Sequence, residues 1–252
     1  MSRTSLLADV LGWSDRTRAI EPEGYRAASG PPGLRLAFGE LAAGGQPYRL
    51  AAARRRLQAA PRASEGGAPV IDVPGFAAPE SLMAPLRRYL SGLGYDARGW
   101  GFGRNRGDVR GDVRRLARLV LERADAEGPV ALVGWSLGGV VAREVARTHP
   151  HVVRRVITFG TPVNGTAHTV GARFVRRGDA DRLAAYAARR DRTDPIRVPV
   201  SVVLSRRDGV VDWRGCLDHH SLDVDHVEVG STHLGMVVDP DVWLTVARRL
   251  SL

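Results

Sequence analysis

From residue 68 onward the chain repeats one alternation: a short β-branched run, a loop marked by glycine or proline, then an amphipathic helix. "PVIDVPGF" (69–76) reads as a strand ending in Pro74-Gly75, "SLMAPLRRYLSGLG" (81–94) as a helix with a glycine stop, and "YDARGWGF" (95–102) as a second strand. "DVRRLARLVLERADAEG" (112–128) is a long helix, and "PVALVGWS" (129–136) a third strand. Strands follow in "VVRRVITFGTPVNG" (152–165), "VPVSVVLSRRDG" (198–209) and "VDHVEVGSTHLG" (224–235). Such alternation predicts an α/β class chain with a mostly parallel sheet and helices on both faces. Ligands of such sheets sit at the carboxyl ends of the strands, so chemistry is sought there.

Three residues at predicted strand ends carry reactive chemistry. Gly134-x-Ser136-x-Gly138 lies between the apolar run Val130, Ala131, Leu132, Val133 and a helical stretch that begins at Val140. A serine on a sharp strand-to-helix turn needs small residues two before and two after it, because strand and helix pass close together there. Asp208 lies just beyond the strand at Val200 to Leu204, and His233 just beyond residues 227–229. Nucleophile, acid and base in the order Ser136, Asp208, His233 suit acyl transfer: the base takes the serine proton and the acid orients the base. Asp212 competes for the acid role, but it follows Val210-Val211 and precedes Trp213, where a helix cap is expected. Two backbone N–H groups complete the expected site as oxyanion donors: that of Leu137 at the helix start, and that of Phe76 after Pro74-Gly75.

The stretches at residues 73–105, 131–165, 205–216 and 230–243 together resemble the bacterial lipase/esterase-like α/β-hydrolases, over about residues 68–252. The resemblance implies an α/β-hydrolase fold with a small cap insert, and a serine hydrolase cleaving carboxylic esters through an acyl-enzyme. By it, Ser136, Asp208 and His233 match nucleophile, acid and base. No cofactor and no metal are implied, and the partner is a small-molecule ester or lipid substrate. One departure is the oxyanion loop, where many such lipases carry His-Gly and this chain has Pro74-Gly75. Acyl transfer to an alcohol and thioester cleavage would use the same residues. A catalytically silent hydrolase fold serving as a binding module is the alternative of a different class.

Charge points elsewhere at first. The formal charge of +10 suggests an anionic partner. All 37 basic residues, however, are Arg and none is Lys, in a chain rich in Ala and Gly, the mark of biased coding composition. With aromatics at only 6%, base stacking has little to work with, and no specific nucleic-acid partner is expected. The single Cys216 excludes an internal disulfide and a multi-cysteine metal site, and reads as a small buried apolar residue. The first residues show neither a secretory signal nor a membrane span, so a cytoplasmic location is expected.

Residues 1–66 read as an N-terminal helical extension and 67–252 as the α/β-hydrolase domain, with 164–198 as a cap insert containing the helical "DADRLAAYAARR". Within the extension, "PYRLAAARRRLQAA" (47–60) is a helix with Leu50, Ala53 and Leu57 on one side, packed on the main domain; its basic face is compatible with weak membrane-surface contact. No sequence feature sets an oligomeric state. "GWGFGRNRGDVRG" (99–111) imitates a dinucleotide-binding turn, but Arg106 occupies the third glycine position and no acidic partner ends the next strand. The two "RGD" copies fit an Arg/Asp-rich helix start. His219-His220 among nearby aspartates reads as a polar loop, since no spacing there imposes ligand geometry.

Overall fold

The computed structural model describes residues 17–21, 32, 46–64, 67–164 and 189–252. The predicted cap helix at 179–190 therefore lies largely outside the described residues, as does most of the insert.

Seven strands form one sheet: β1 (Arg18–Ala19), β2 (Pro69–Val73), β3 (Asp96–Gly99), β4 (Val130–Trp135), β5 (Val153–Phe159), β6 (Val200–Leu204) and β7 (Val224–Glu228). Their spatial order is β1-β7-β6-β5-β4-β2-β3. All neighbours are parallel except β1 and β7, which pair antiparallel through Arg18 with Glu228 and Ala19 with Val227. β1 comes from the stretch in which the sequence shows little strand pattern; two residues held by an edge leave no periodicity to read.

Every residue of β2, β4 and β6 is buried, which is why these strands are near-continuous apolar runs. Side chains alternate across the sheet. Ala131, Val133 and Trp135 join one core with Leu57, Leu86, Leu90 and Trp243, while Val130 and Leu132 join the other with Leu116, Val120, Val141 and Val145. The first core is roofed by α1 (Gln46–Ala52), α2 (Arg54–Gln58), α3 (Ala84–Gly92) and α6 (Pro240–Leu250); the second by α4 (Val109–Glu127) and α5 (Leu137–Thr148). The helix expected over 47–60 is thus two short helices broken at Ala53. Arg49 ties this segment to α6 by bridging Asp239 (2.5 Å) and Asp241 (2.9 Å).

β2 has β3 on one side and β4 on the other. The chain therefore runs outward from β2 to β3 and crosses back to β4, leaving a crevice at the carboxyl ends of β2 and β4. Two loops meet there: the turn after β2 and the junction of β4 with α5. Asp108, in the first "RGD", is the N-cap of α4, its carboxylate accepting from the Gly111 N–H (3.0 Å).

Candidate active site

Ser136 stands between β4 and α5 with φ 54° and ψ −125°, a backbone conformation that side chains rarely adopt. Its N–H donates to the Phe159 carbonyl (2.9 Å) and its carbonyl accepts from the Gly139 N–H (3.0 Å), so strand and helix both hold it. The close passage predicted from the glycines is present: a Cβ on Gly138 would collide with the Val73 carbonyl of β2. α5 starts at Leu137, whose N–H, as the first of a helix, has no intrahelical acceptor.

Asp208 and His233 meet at the ends of β6 and β7. His233 Nδ1 lies 2.7 Å from Asp208 Oδ2, and both side chains are buried. The other carboxylate oxygen, Oδ1, accepts from the Val210 (2.8 Å) and Val211 (2.7 Å) N–H groups. A carboxylate so held is fixed in place, and its contact with Nδ1 suits the tautomer with the proton on Nδ1 and Nε2 unprotonated. Asp212 is elsewhere: it caps the short 3-10 turn Trp213–Cys216, accepting from the Arg214 N–H (2.8 Å).

The pair is packed beside Ser136. Gly160 (φ 58°) follows Phe159, whose carbonyl receives the Ser136 N–H, and a Cβ there would stand 2.9 Å from His233 Nδ1 and 3.2 Å from Asp208 Oδ2. Trp135, immediately before Ser136, sets its ring 5.4 Å from the His233 ring. Gly75 closes the other side, where a Cβ would stand 3.0 Å from the Ser136 Cβ. Ser136, Asp208, His233 and the loop carrying Phe76 thus all lie at the carboxyl ends of the strands, with Gly160 and Trp135 between the serine and the His-Asp pair. Phe76 (64% exposed), next to Gly75, and Leu234 (49% exposed), next to His233, are exposed apolar residues.

Two sets of residues here escaped the sequence. Asn105 is fully buried and bonded to the turn after β2. Its only sequence trace is a lone amide in a glycine- and arginine-rich loop. The second set clasps α5: Arg143 reaches Asp218 (2.7 Å) and Asp191 (3.4 Å), Arg147 also binds Asp191, and the Asp218 N–H donates to His226 Nε2 (3.0 Å). Burial holds the His226 imidazole down at about 4, while Arg143 and the Ser221 and His220 donors outweigh desolvation and hold Asp218 below the usual carboxylate range. Asp218 also accepts from the Ser221 hydroxyl (2.5 Å) and from the His220 and Ser221 N–H groups, so its carboxylate is taken up within the loop at 218–221. Burial pushes the Cys216 thiol up, leaving it an apolar filler.

A parallel sheet with a serine on a strained strand-to-helix turn and a buried His-Asp pair at neighbouring strand ends defines a hydrolase-type α/β architecture. Residues 69–194, half of the chain, match the sequence profile of the alpha/beta hydrolase fold, and the chain belongs to that family. The matched region contains Ser136 and ends before Asp208. Among solved structures, the chain is similar to the mouse alpha/beta hydrolase domain-containing protein 10 (21% identity, TM-score 0.52, 73% of this chain and 88% of that one). It is similar also to the mature lipase BlEst2 of Bacillus licheniformis (19%, TM-score 0.55, 74% and 93%). A third, LipS or LipT, comes from a pair of metagenome-derived lipolytic enzymes (14%, TM-score 0.57, 74% and 94%). At these identities the likeness is one of fold. A curated relative, the pimeloyl-[acyl-carrier protein] methyl ester esterase of Citrobacter koseri, is 41% identical over 61 residues, 24% of this chain and 23% of the relative. Among the described residues no helix is long and apolar enough to cross a membrane.

Proposed function

We propose that the protein is a serine hydrolase that cleaves carboxylic esters of small-molecule or lipid substrates through an acyl-enzyme. The observation that carries this reading is the strained Ser136 backbone beside the buried His233–Asp208 contact of 2.7 Å. Strain of this kind costs about 1–3 kcal/mol and persists where function uses it. The names of the relatives, lipases and a methyl ester esterase, point the same way.

In this reading Ser136 Oγ attacks the ester carbonyl while His233 Nε2 takes its proton. Asp208 accepts from Nδ1–H, fixes the tautomer and stabilises the imidazolium. The tetrahedral oxyanion is held by the N–H groups of Leu137 and Phe76. Collapse expels the alcohol, which takes the proton from His233, and leaves Ser136 acylated. Water, deprotonated by His233, then releases the acid and restores the serine. Exposed Phe76 and Leu234 favour an apolar acyl or alcohol group.

A fluorophosphonate should label the wild type and not Ser136→Ala. Among p-nitrophenyl esters, thioesters and amides, esters should turn over fastest. A folded wild type that stays unlabelled would put the silent binding module ahead, and thioesters turning over faster would move the assignment to thioester cleavage.

A further inference from the structure

We propose, resting on the hydrolase reading, that Asn105 is a positioning residue that holds the Phe76 N–H in place as an oxyanion donor. The loop after β3, which imitated a dinucleotide-binding turn, is here the support of the turn after β2.

Residues 75–78 form a turn closed by the Ala78 N–H donating to the Gly75 carbonyl (3.1 Å). In a trans peptide the C=O and the N–H point opposite ways. Aiming the Gly75 carbonyl into the turn therefore aims the Phe76 N–H out of it, beside Gly75, which lies against Ser136. The Phe76 N–H has no hydrogen-bond partner among the described residues, so it is available. The turn itself is strained. Ala77, at its third position, has φ 58°, where glycine is the preferred residue.

Asn105 holds this segment at three points, and a fourth hydrogen bond fixes its own amide. Its Nδ2 donates to the Pro74 carbonyl (2.9 Å), and its backbone carbonyl accepts from the strained Ala77 N–H (2.8 Å). The Asn105 N–H donates to the Ala78 carbonyl (3.1 Å). The side-chain Oδ1 accepts from Gly107 N–H (2.9 Å), which locks the amide so that Nδ2 faces Pro74. Gly107 in turn lies under the Phe76 ring, where a Cβ would stand 3.0 Å from it. The Pro74 carbonyl is the decisive contact: Gly138 presses on it from the start of α5, so Asn105 and the Ser136 elbow clamp one peptide group from two sides. Asn105 touches no reacting atom in this arrangement. It acts through the turn.

Asn105→Asp keeps the size and the acceptor for Gly107, and replaces only the donor to Pro74. It should lower kcat about 10²-fold, the loss of one oxyanion donor, with KM within about threefold. Affinity for phenylboronic acid, a tetrahedral mimic, should fall in parallel with kcat, and the Ala77 amide should exchange with solvent at least about tenfold faster. A buried residue with a merely structural role would lower the melting temperature and leave kcat and boronate affinity of the folded enzyme unchanged; that result overturns the proposal. If Asn105→Asp does not fold, the wild type alone decides: the Ala77 amide must be protected from exchange, and the Phe76 amide resonance must shift on adding phenylboronic acid. An unprotected Ala77, or a Phe76 amide that does not respond, overturns it. A wild type that never labels with fluorophosphonate sinks the hydrolase reading, whereas a labelled wild type whose Asn105→Asp variant keeps its kcat sinks only the role of Asn105.

Discussion

Among the described residues two that are not glycine hold a positive φ, Ser136 and Ala77, and they are held by different means. Ser136 is fixed by regular structure: the end of β4, the start of α5, and a backbone hydrogen bond to the end of β5. Ala77 is fixed by another loop, through Asn105 and the contact of Arg104 with its carbonyl. Strand and helix ends are shared with a core that cannot shift without exposing apolar surface, so they hold a reactive atom stiffly. A loop held by a few polar contacts is adjustable, and one substitution can release it. On this view the two sides of the site should fail differently. The strand-held side should lose chemistry when a side chain is changed, and the loop-held side should lose geometry.

The largest effect is expected on the strand-held side. Asp208→Asn should keep the fold and lower kcat by roughly 10⁴, because an amide cannot fix the His233 tautomer in the same way. Asp212→Asn, which weakens only the cap of a short turn, should cost at most about 1 kcal/mol of stability and leave turnover near normal. Steady-state kinetics with urea unfolding of both variants checks this. Near-normal turnover in Asp208→Asn with collapse in Asp212→Asn would reverse the two roles and undo the contrast.

The same contrast explains what is legible in the sequence alone. Ser136, Gly138 and the strand leading to them are contiguous, so local spacing alone announces the elbow. Asp208 and His233 announce themselves because each follows an apolar run that must be a strand. Asn105 gives no such signal, since its partners Pro74 and Ala77 lie 31 and about 28 residues away on a different loop. Pairing of loops across a switch point follows from strand order, and strand order is not periodic. For the same reason the sheet order, the two-residue β1 and the clasp of Arg143 with Asp218 were out of reach. They depend on which segments become neighbours, not on the pattern within any one of them.

A smaller, pH-dependent effect should separate the sides again. The elbow helix α5 is clasped by charged and titratable groups, Arg143, Asp218, Asp191 and the adjoining His226, whereas Asn105 grips the turn with neutral ones. Burial holds His226 at about 4 against an ordinary value of 6.5. Between pH 6.5 and 4 the unfolded chain binds a proton that the folded chain does not, so stability falls as pH falls through this window. The shift corresponds to about 3 kcal/mol at most. Urea unfolding at pH 7 and pH 4.5 should show the loss, and His226→Gln should flatten this part of the profile. Asp218, held low, adds a further loss only at more acidic pH, below its unfolded value of 3.8. Equal slopes in wild type and His226→Gln would mean that acid acts elsewhere, and the contrast in pH response between the clasp of α5 and the grip on the turn would fail.

The smallest effect tests the strain itself. If both positive-φ residues are strained, glycine should be more stable than alanine at each. Ser136→Gly should be more stable than Ser136→Ala by about 2 kcal/mol, because φ 54° with ψ −125° lies outside the left-handed helical basin as well as outside the usual ones. Ala77→Gly should gain about 1 kcal/mol over the wild type, the left-handed penalty less the entropy that glycine adds to the unfolded chain. With Asn105 still clamping the Pro74 carbonyl, Ala77→Gly should keep kcat within about threefold, since the hydrogen bonds and not the Cβ aim the Phe76 N–H. A gain in stability with a large loss of kcat would show that the stiffness of alanine, and not the grip of Asn105, sets the turn. No gain at either position would mean that the strain is absent, and the elbow and the turn would then differ only in which elements they join.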